Sequence, residues 1–226
     1  SYKVWLIISQ VLGYALSKFI GISFVSELEK GNRARYVIIF SLIAVLSWLF
    51  FAITPTPFNI PFLFVNGLHL GMMWGILFSY LEGRRCTEAL AAGLSVSFIF
   101  SSGFVKTVGA FTMYQWGTAE YWMPFVTSLI FLGPLLACTW LMERIPPPSV
   151  EDVAARSRRQ PMLLSDRRVF VRSFWPGIVL FIVAYFMLTA FRDFRDNFAA
   201  ELWEQLGYGE SAGIFTLTEI PIAVVV

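Results

Sequence analysis

Charge, histidine and cysteine are all scarce in this chain. Only 14% of its 226 residues are Asp, Glu, Lys or Arg, against roughly 25% in an ordinary soluble domain. One histidine is present, and the two cysteines, Cys86 and Cys138, fall in a short basic loop and in an apolar run. Neither has CxxC or Cys/His ligand spacing around it, so no disulfide framework and no metal site is expected. There is no HExxH, Walker loop or GxSxG, and no span holds paired carboxylates, so neither an enzyme nor a cofactor is expected. The net charge is only +2, and the basic residues lie between apolar runs rather than along one face with interleaved aromatics. That excludes nucleic acid as the expected partner.

What is abundant is apolar. Hydrophobic residues make up 57% of the chain, and 23 of them are Phe. A water-soluble fold of this length lacks the interior volume to hide so many, so the surplus is expected to face lipid. The fold class this predicts is an all-α, polytopic membrane helix bundle.

A helix needs about 20 apolar residues to span hydrocarbon. The sequence supplies six such runs, at 4–24, 36–53, 60–81, 90–113, 121–142 and 174–191, with a further one from 212 onward. The chain opens near one apolar run and ends within another, and a helix does not stop in hydrocarbon with unpaired carbonyls. A chain truncated at both ends is therefore expected.

Lys and Arg are retained on the cytoplasmic side of short loops. Loop 27–35 holds Lys30, Arg33 and Arg35, and loop 82–89 holds Arg84 and Arg85; loops 54–59 and 114–120 hold no basic residue; 143–173 carries seven Arg. The alternation predicts a first span running from outside to inside and a cytoplasmic 143–173 segment. The acidic connection 192–211 is expected outside. This gives three parts: a transmembrane lobe at 1–142 lacking its first helix, a linker at 143–173, and the start of a second lobe at 174–226.

The linker opens with Pro146, Pro147 and Pro148, which cannot continue a helix. Ser149 and Asp152 follow at capping-box spacing, with Asp where Glu is usual, and predict a short helix over 150–159. A second start at Ser165 and Asp166 leads into the next span. Six helices, a long basic linker and further helices make the layout of a two-lobed transporter.

Residues 13–35 read GYALSKFIGISFVSELEKGNRAR. They resemble the second helix and following loop of the organophosphate:phosphate antiporter branch of the major facilitator superfamily. Ser26, Glu27, Lys30 and Arg33 stand where that branch has Ser-Asp-Arg and a final Arg. The run Gly71-Met-Met-Trp74-Gly75 resembles its glycine-rich fourth helix. Residues 185–192, with Thr218-Glu219-Ile220-Pro221, are similar to its seventh and eighth helices. The FRDFRDNF and IPPPS stretches resemble an uncharacterised bacterial group of the superfamily. The resemblance implies a major facilitator fold, covering helices two to eight of twelve, in a bacterial inner membrane. It also places Lys18 and Arg192 on basic positions that face the central cavity in that branch.

A charge at the bilayer centre costs about 2.5–3.5 kcal/mol, so each ion inside a span needs a reason. Lys18 lies roughly 13 Å from the end of its span at Glu27, and Lys106 roughly 12 Å from Tyr114, at 1.5 Å rise per residue. Both fall near the middle of a ~30 Å slab. Two amines and the Arg192 guanidinium form a candidate clamp for a phosphate or carboxylate. Arg192 also reads as an interfacial anchor. Glu219, beside Pro221, is the candidate coupling group or counter-ion, and an ion pair of Lys18 or Lys106 with Glu219 is the structural alternative. Glu27, Lys30, Arg33, Arg195 and Asp196 are candidate gating residues, and Asp193, Arg195 and Asp196 also have the spacing for local pairs. His69 reads as a packing contact, and Gly67, Gly71 and Gly75 as a GxxxGxxxG packing ridge. Ser95, Ser97, Ser101, Ser102 and Gly103 form a small polar strip that lines a cavity or bonds within the bundle.

The expected function is a secondary active transporter, of antiporter type, moving a small anionic organic solute by alternating access as a monomer surrounded by lipid. The alternative from another class is a transporter-like receptor that signals through its basic cytoplasmic loop.

Overall fold

The computed structural model describes residues 2–154, 164–209, 211 and 213–225, and the regular structure among them is entirely helical. In chain order the helices are α1 (Tyr2–Glu27), α2 (Arg33–Ile53), α3 (Ile60–Leu81), α4 (Thr87–Trp116), α5 (Met123–Glu143), α6 (Val150–Ala154), α7 (Leu164–Gln205) and α8 (Ile214–Val225). A 3-10 turn, Lys30–Asn32, joins α1 to α2. Among them α1 to α5 and α7 are long and apolar enough to cross a membrane. Helices meet that demand because every backbone N–H and C=O finds its partner within the segment. The chain is thus all-helical, with long apolar helices that fit a membrane helix bundle.

Local chemistry sets the ends. Pro61 and Pro124 stand in the first turns of α3 and α5, where a missing N–H costs nothing. α4 stops at Gly117, whose φ of 66° is open to glycine and whose N–H returns to the Thr112 carbonyl. α6 begins with the expected capping box: the Ser149 N–H donates to Asp152 Oδ2 at 2.9 Å, and the Asp152 N–H donates to Ser149 Oγ at 3.1 Å. Its predicted extent reaches into 155–163, which lies outside the described residues.

The greatest departure from the sequence reading is α7. Residues 192–211 were expected as a polar connection, yet the helix runs on to Gln205. No Gly or Pro occurs between 178 and 206, and Phe194, Phe198 and Leu202 recur at four-residue spacing, which sustains a helix despite the charges between them. It ends at Gly207, φ 83°, where the Gly207 N–H reaches Glu204 O at 3.0 Å and the Tyr208 N–H reaches Trp203 O at 2.8 Å. That pair of bonds is a Schellman closure.

The chain forms two compact units, one of Ser1–Ala154 with Ala212–Val226, the other of Ala155–Ser211. In the first, the most extensive packing is between α1 and α3, followed by α2 on α3 and α4 on α8. The expected glycine ridge on α3 is real, and its partner is α1. A Cβ added at Gly67 would collide with the Gln10 carbonyl, and one at Gly13 with the Phe64 carbonyl. At Gly71 it would strike Ser17 Oγ. Small residues on both helices therefore bring the two backbones together. The two helices run parallel, so a polar ladder follows their shared edge: Tyr2 Oη to Asn59 Oδ1 at 2.6 Å, Ser9 Oγ to Ile60 O at 3.0 Å, and Gln10 Nε2 to Asn66 Oδ1 at 3.2 Å. On the other side of α3, Val37, Phe40, Met72 and Ile76 form the buried apolar cluster with α2.

Candidate functional site

Glu219 is where buried charge and close helix contact coincide. It is 6% exposed, on α8, and faces α4. The approach depends on Gly103: a Cβ there would lie 2.7 Å from Glu219 Cγ and would collide with the Phe215 carbonyl. One turn along the same face of α4, Thr107 Oγ1 meets Thr216 Oγ1 at 2.7 Å. Lys106 adjoins Thr107 and stands three residues after Gly103, half-buried on this side of α4. The structure therefore brings two of the sequence-predicted ions, Lys106 and Glu219, onto facing helices, within a seam of Gly103, Thr107, Thr216 and Thr218. Thr218 Oγ1 bonds back to Ile214 O at 2.9 Å, which satisfies its hydroxyl inside α8.

Lys18 follows the fully buried Ser17 on α1, but points away from the α3 contact and is exposed. Its Nζ sits 4.8 Å from the centre of the Tyr14 ring, one turn earlier. A cation over an aromatic face is held without being neutralised, so its charge remains available to an anion.

Arg192 belongs to the second unit. Its guanidinium donates through Nη2 to Asp193 Oδ1 at 3.0 Å, in a pair whose side chains are 61% and 42% exposed. Arg195 makes the equivalent bond to Asp196 at 3.2 Å. Local pairing was expected, and each arginine bonds the aspartate that follows it in the chain.

Of the remaining gating candidates, Glu27 is the exposed last residue of α1, and the Lys30 side chain lies outside the described residues. Arg33 is engaged: Nη1 donates to the Ser79 carbonyl at 2.9 Å, and the guanidinium lies 5.5 Å from the Tyr80 ring centre. This contact continues into a latch that sequence reasoning missed. Tyr80 Oη bonds Glu143 Oε1 at 2.5 Å, Arg84 Nη2 reaches Pro146 O at 2.5 Å, and the Arg85 N–H donates to Asp152 Oδ1 at 2.9 Å. Asp152 thus caps α6 with one oxygen and grips the α3–α4 loop with the other. The Arg85 and Ser149 N–H groups hold its carboxyl below the usual carboxylate range. The capping-box spacing was the one signal for this residue in the sequence.

His69 packs as expected. Its ring lies 5.4 Å from that of Phe40, and Nδ1 donates to the Val65 carbonyl at 2.7 Å. Ser95, Ser97 and Ser101 return their hydroxyls to carbonyls one turn back on α4.

The profile of the family of unknown function DUF5690 matches residues 1–226. The chain belongs to the DUF5690 family. No curated protein and no solved structure matches it.

Proposed function

We propose that the protein is a secondary transporter of the major facilitator type that moves a small anionic organic solute by alternating access. Its place is the bacterial inner membrane, with the 143–173 segment on the cytoplasmic side. The observation that carries this reading is the α4–α8 seam, where buried Glu219 packs against Gly103 and Lys106 stands on the facing helix beside Thr107. An ion in mid-bilayer is costly, and such residues characteristically mark substrate and ion pathways. In the empty site Glu219 is the counter-ion of Lys106. A phosphate or carboxylate that takes over the ammonium displaces Glu219, which then accepts a proton or moves, and this couples solute occupancy to the α4–α8 contact. Lys18 and Arg192 are further basic groups for the solute, as their likeness to the antiporter branch implies. Glu27, Lys30, Arg33, Arg195 and Asp196 serve the gates, and the protein works as a monomer without a cofactor.

Uptake of phosphorylated and carboxylated solutes into proteoliposomes holding the protein tests this. Lys106→Met and Glu219→Gln should each lower the rate at least about tenfold, the effect of losing about 1.4 kcal/mol of binding, while the helix content is retained. Unchanged uptake in both variants would overturn the site assignment.

A further inference from the structure

A basic groove at the start of α7 is separate from the proposed solute site. Arg167, Arg168, Val171, Arg172 and Trp175 line a shallow, wide-open depression along this helix. The three arginines and Trp175 are exposed, and Arg168, Arg172 and Trp175 follow one another at the four- and three-residue spacing that aligns side chains on one helix face. Asp166 is the one acidic residue in 164–175, so the segment carries a net charge of +2 from three Arg and one Asp.

Position along the helix gives this cluster its meaning. Residues 177–191 contain no charged side chain, and the next charges are Arg192 and Asp193. From Trp175 to Arg192 is roughly 26 Å at 1.5 Å per residue, close to the ~30 Å hydrocarbon thickness. Trp175 therefore falls at one hydrocarbon boundary, the depth that indole rings favour, and the guanidiniums fall just beyond it, among the headgroups. There the complementary group is a phosphodiester, which a guanidinium grips through two parallel N–H bonds.

We propose that this groove is a binding site for an anionic glycerophospholipid, with the phosphate held by Arg168 and Arg172, Arg167 adding charge, and Trp175 packed on the glycerol and upper acyl chains. The site fixes the depth of α7 in the bilayer and makes the protein sensitive to the anionic lipid content of that leaflet. It does not depend on the transport reading.

The test reconstitutes the protein in bilayers holding equal fractions of phosphatidylglycerol and phosphatidylcholine, with bromine on the acyl chains of one or the other. The Trp175 signal is the difference in fluorescence between the protein and its Trp175→Phe variant. Brominated phosphatidylglycerol should quench this signal more than brominated phosphatidylcholine, and Arg167→Gln/Arg168→Gln/Arg172→Gln should erase the preference. The corresponding triple Lys variant should retain most of it, because charge persists while the two-pronged grip is lost. Unfolding temperatures identify a variant that has lost its fold, and the Lys variant then carries the test. Equal quenching by both lipids in the unmodified protein would overturn the proposal, as would a preference that survives the triple Gln change. Loss of the preference on adding millimolar inorganic phosphate at constant ionic strength would also overturn it, by assigning the groove to a soluble phosphate.

Discussion

Thr107 on α4 and Thr216 on α8 share a hydrogen bond of 2.7 Å although 109 residues separate them in the chain. The bond closes a seam whose neighbouring turn holds Gly103 against Glu219. Gly103→Ala should therefore cost about 1–3 kcal/mol, the range for overpacking a tight contact, because its new methyl meets backbone as well as the flexible glutamate. Gly93→Ala on the same helix meets nothing within 4 Å and should be neutral or stabilising by up to about 1 kcal/mol. Reversible unfolding in mixed micelles measures both. Equal effects at the two glycines would show that α8 does not dock on α4 in this way.

A second expectation concerns Asn66, 2% exposed and bonded to Gln10 at 3.2 Å on α1 and to the Ala44 carbonyl at 3.4 Å on α2. Interhelical side-chain bonds in membrane proteins average about 0.6 kcal/mol and reach about 1.7. Asn66→Leu should destabilise within that range per bond lost. The double change Gln10→Leu/Asn66→Leu should cost less than the two single changes added together, since each removes the same bond. Strict additivity would mean that the two residues do not interact.

The latch at Asp152 responds to acid. Because its carboxyl is held below its ordinary value in the folded chain, its contribution is present at pH values above the unfolded pKa, about 3.9. It is lost as the pH falls through the lowered folded value. The α6 cap and the Arg85 contact should accordingly persist at pH 5 and open only below the usual carboxylate range. A carboxyl ¹³C titration should find Asp152 protonating below free aspartate, and Asp152→Ala should speed amide exchange at Ser149 and Arg85 at neutral pH. An Asp152 that titrates at or above the free value would remove the latch from the account.

Much of this was written in the sequence, for reasons that differ by element. The apolar runs announced the spans because hydrocarbon leaves a helix little alternative, and Ser149 with Asp152 announced α6 because a capping box is a local device. Gly67, Gly71 and Gly75 announced close packing. They could not name α1 as the partner, since Gly13, Ser17 and Gly21 lie more than 40 residues away. The α7 extension was hidden because the charges of 192–205 read as a connection, although that stretch contains no residue able to stop a helix. The sequence left both Lys18 and Lys106 as partners for Glu219, because the choice depends on which helix α8 packs against, and that rests on Gly103, Thr107 and Thr216 acting together. Lys18 was singled out by depth and by likeness and Arg192 by likeness, and their local settings, a tyrosine face and a neighbouring aspartate, lie within one turn of each.

Lys106 and Glu219 make a further prediction as a pair. If they balance each other, Lys106→Met should destabilise the protein by stranding a buried carboxylate, and Lys106→Met/Glu219→Gln should recover most of that loss. Both variants should fail in transport, because neutral side chains restore the fold and not the anion site. Recovered transport in the double variant would reduce the pair to a structural role.

The most direct measurement of the central claim is the unfolding temperature of the purified protein against a panel of phosphorylated, carboxylated, neutral and cationic solutes, repeated with Lys106→Met and Lys18→Ala. A solute that binds only the folded state stabilises it by RT ln(1 + [L]/Kd), about 2.7 kcal/mol at a hundredfold excess over Kd. The account predicts that one anionic class raises the unfolding temperature and that both lysine variants abolish or sharply reduce that shift. Stabilisation by neutral or cationic solutes alone, or an anion shift left intact in both variants, would contradict it.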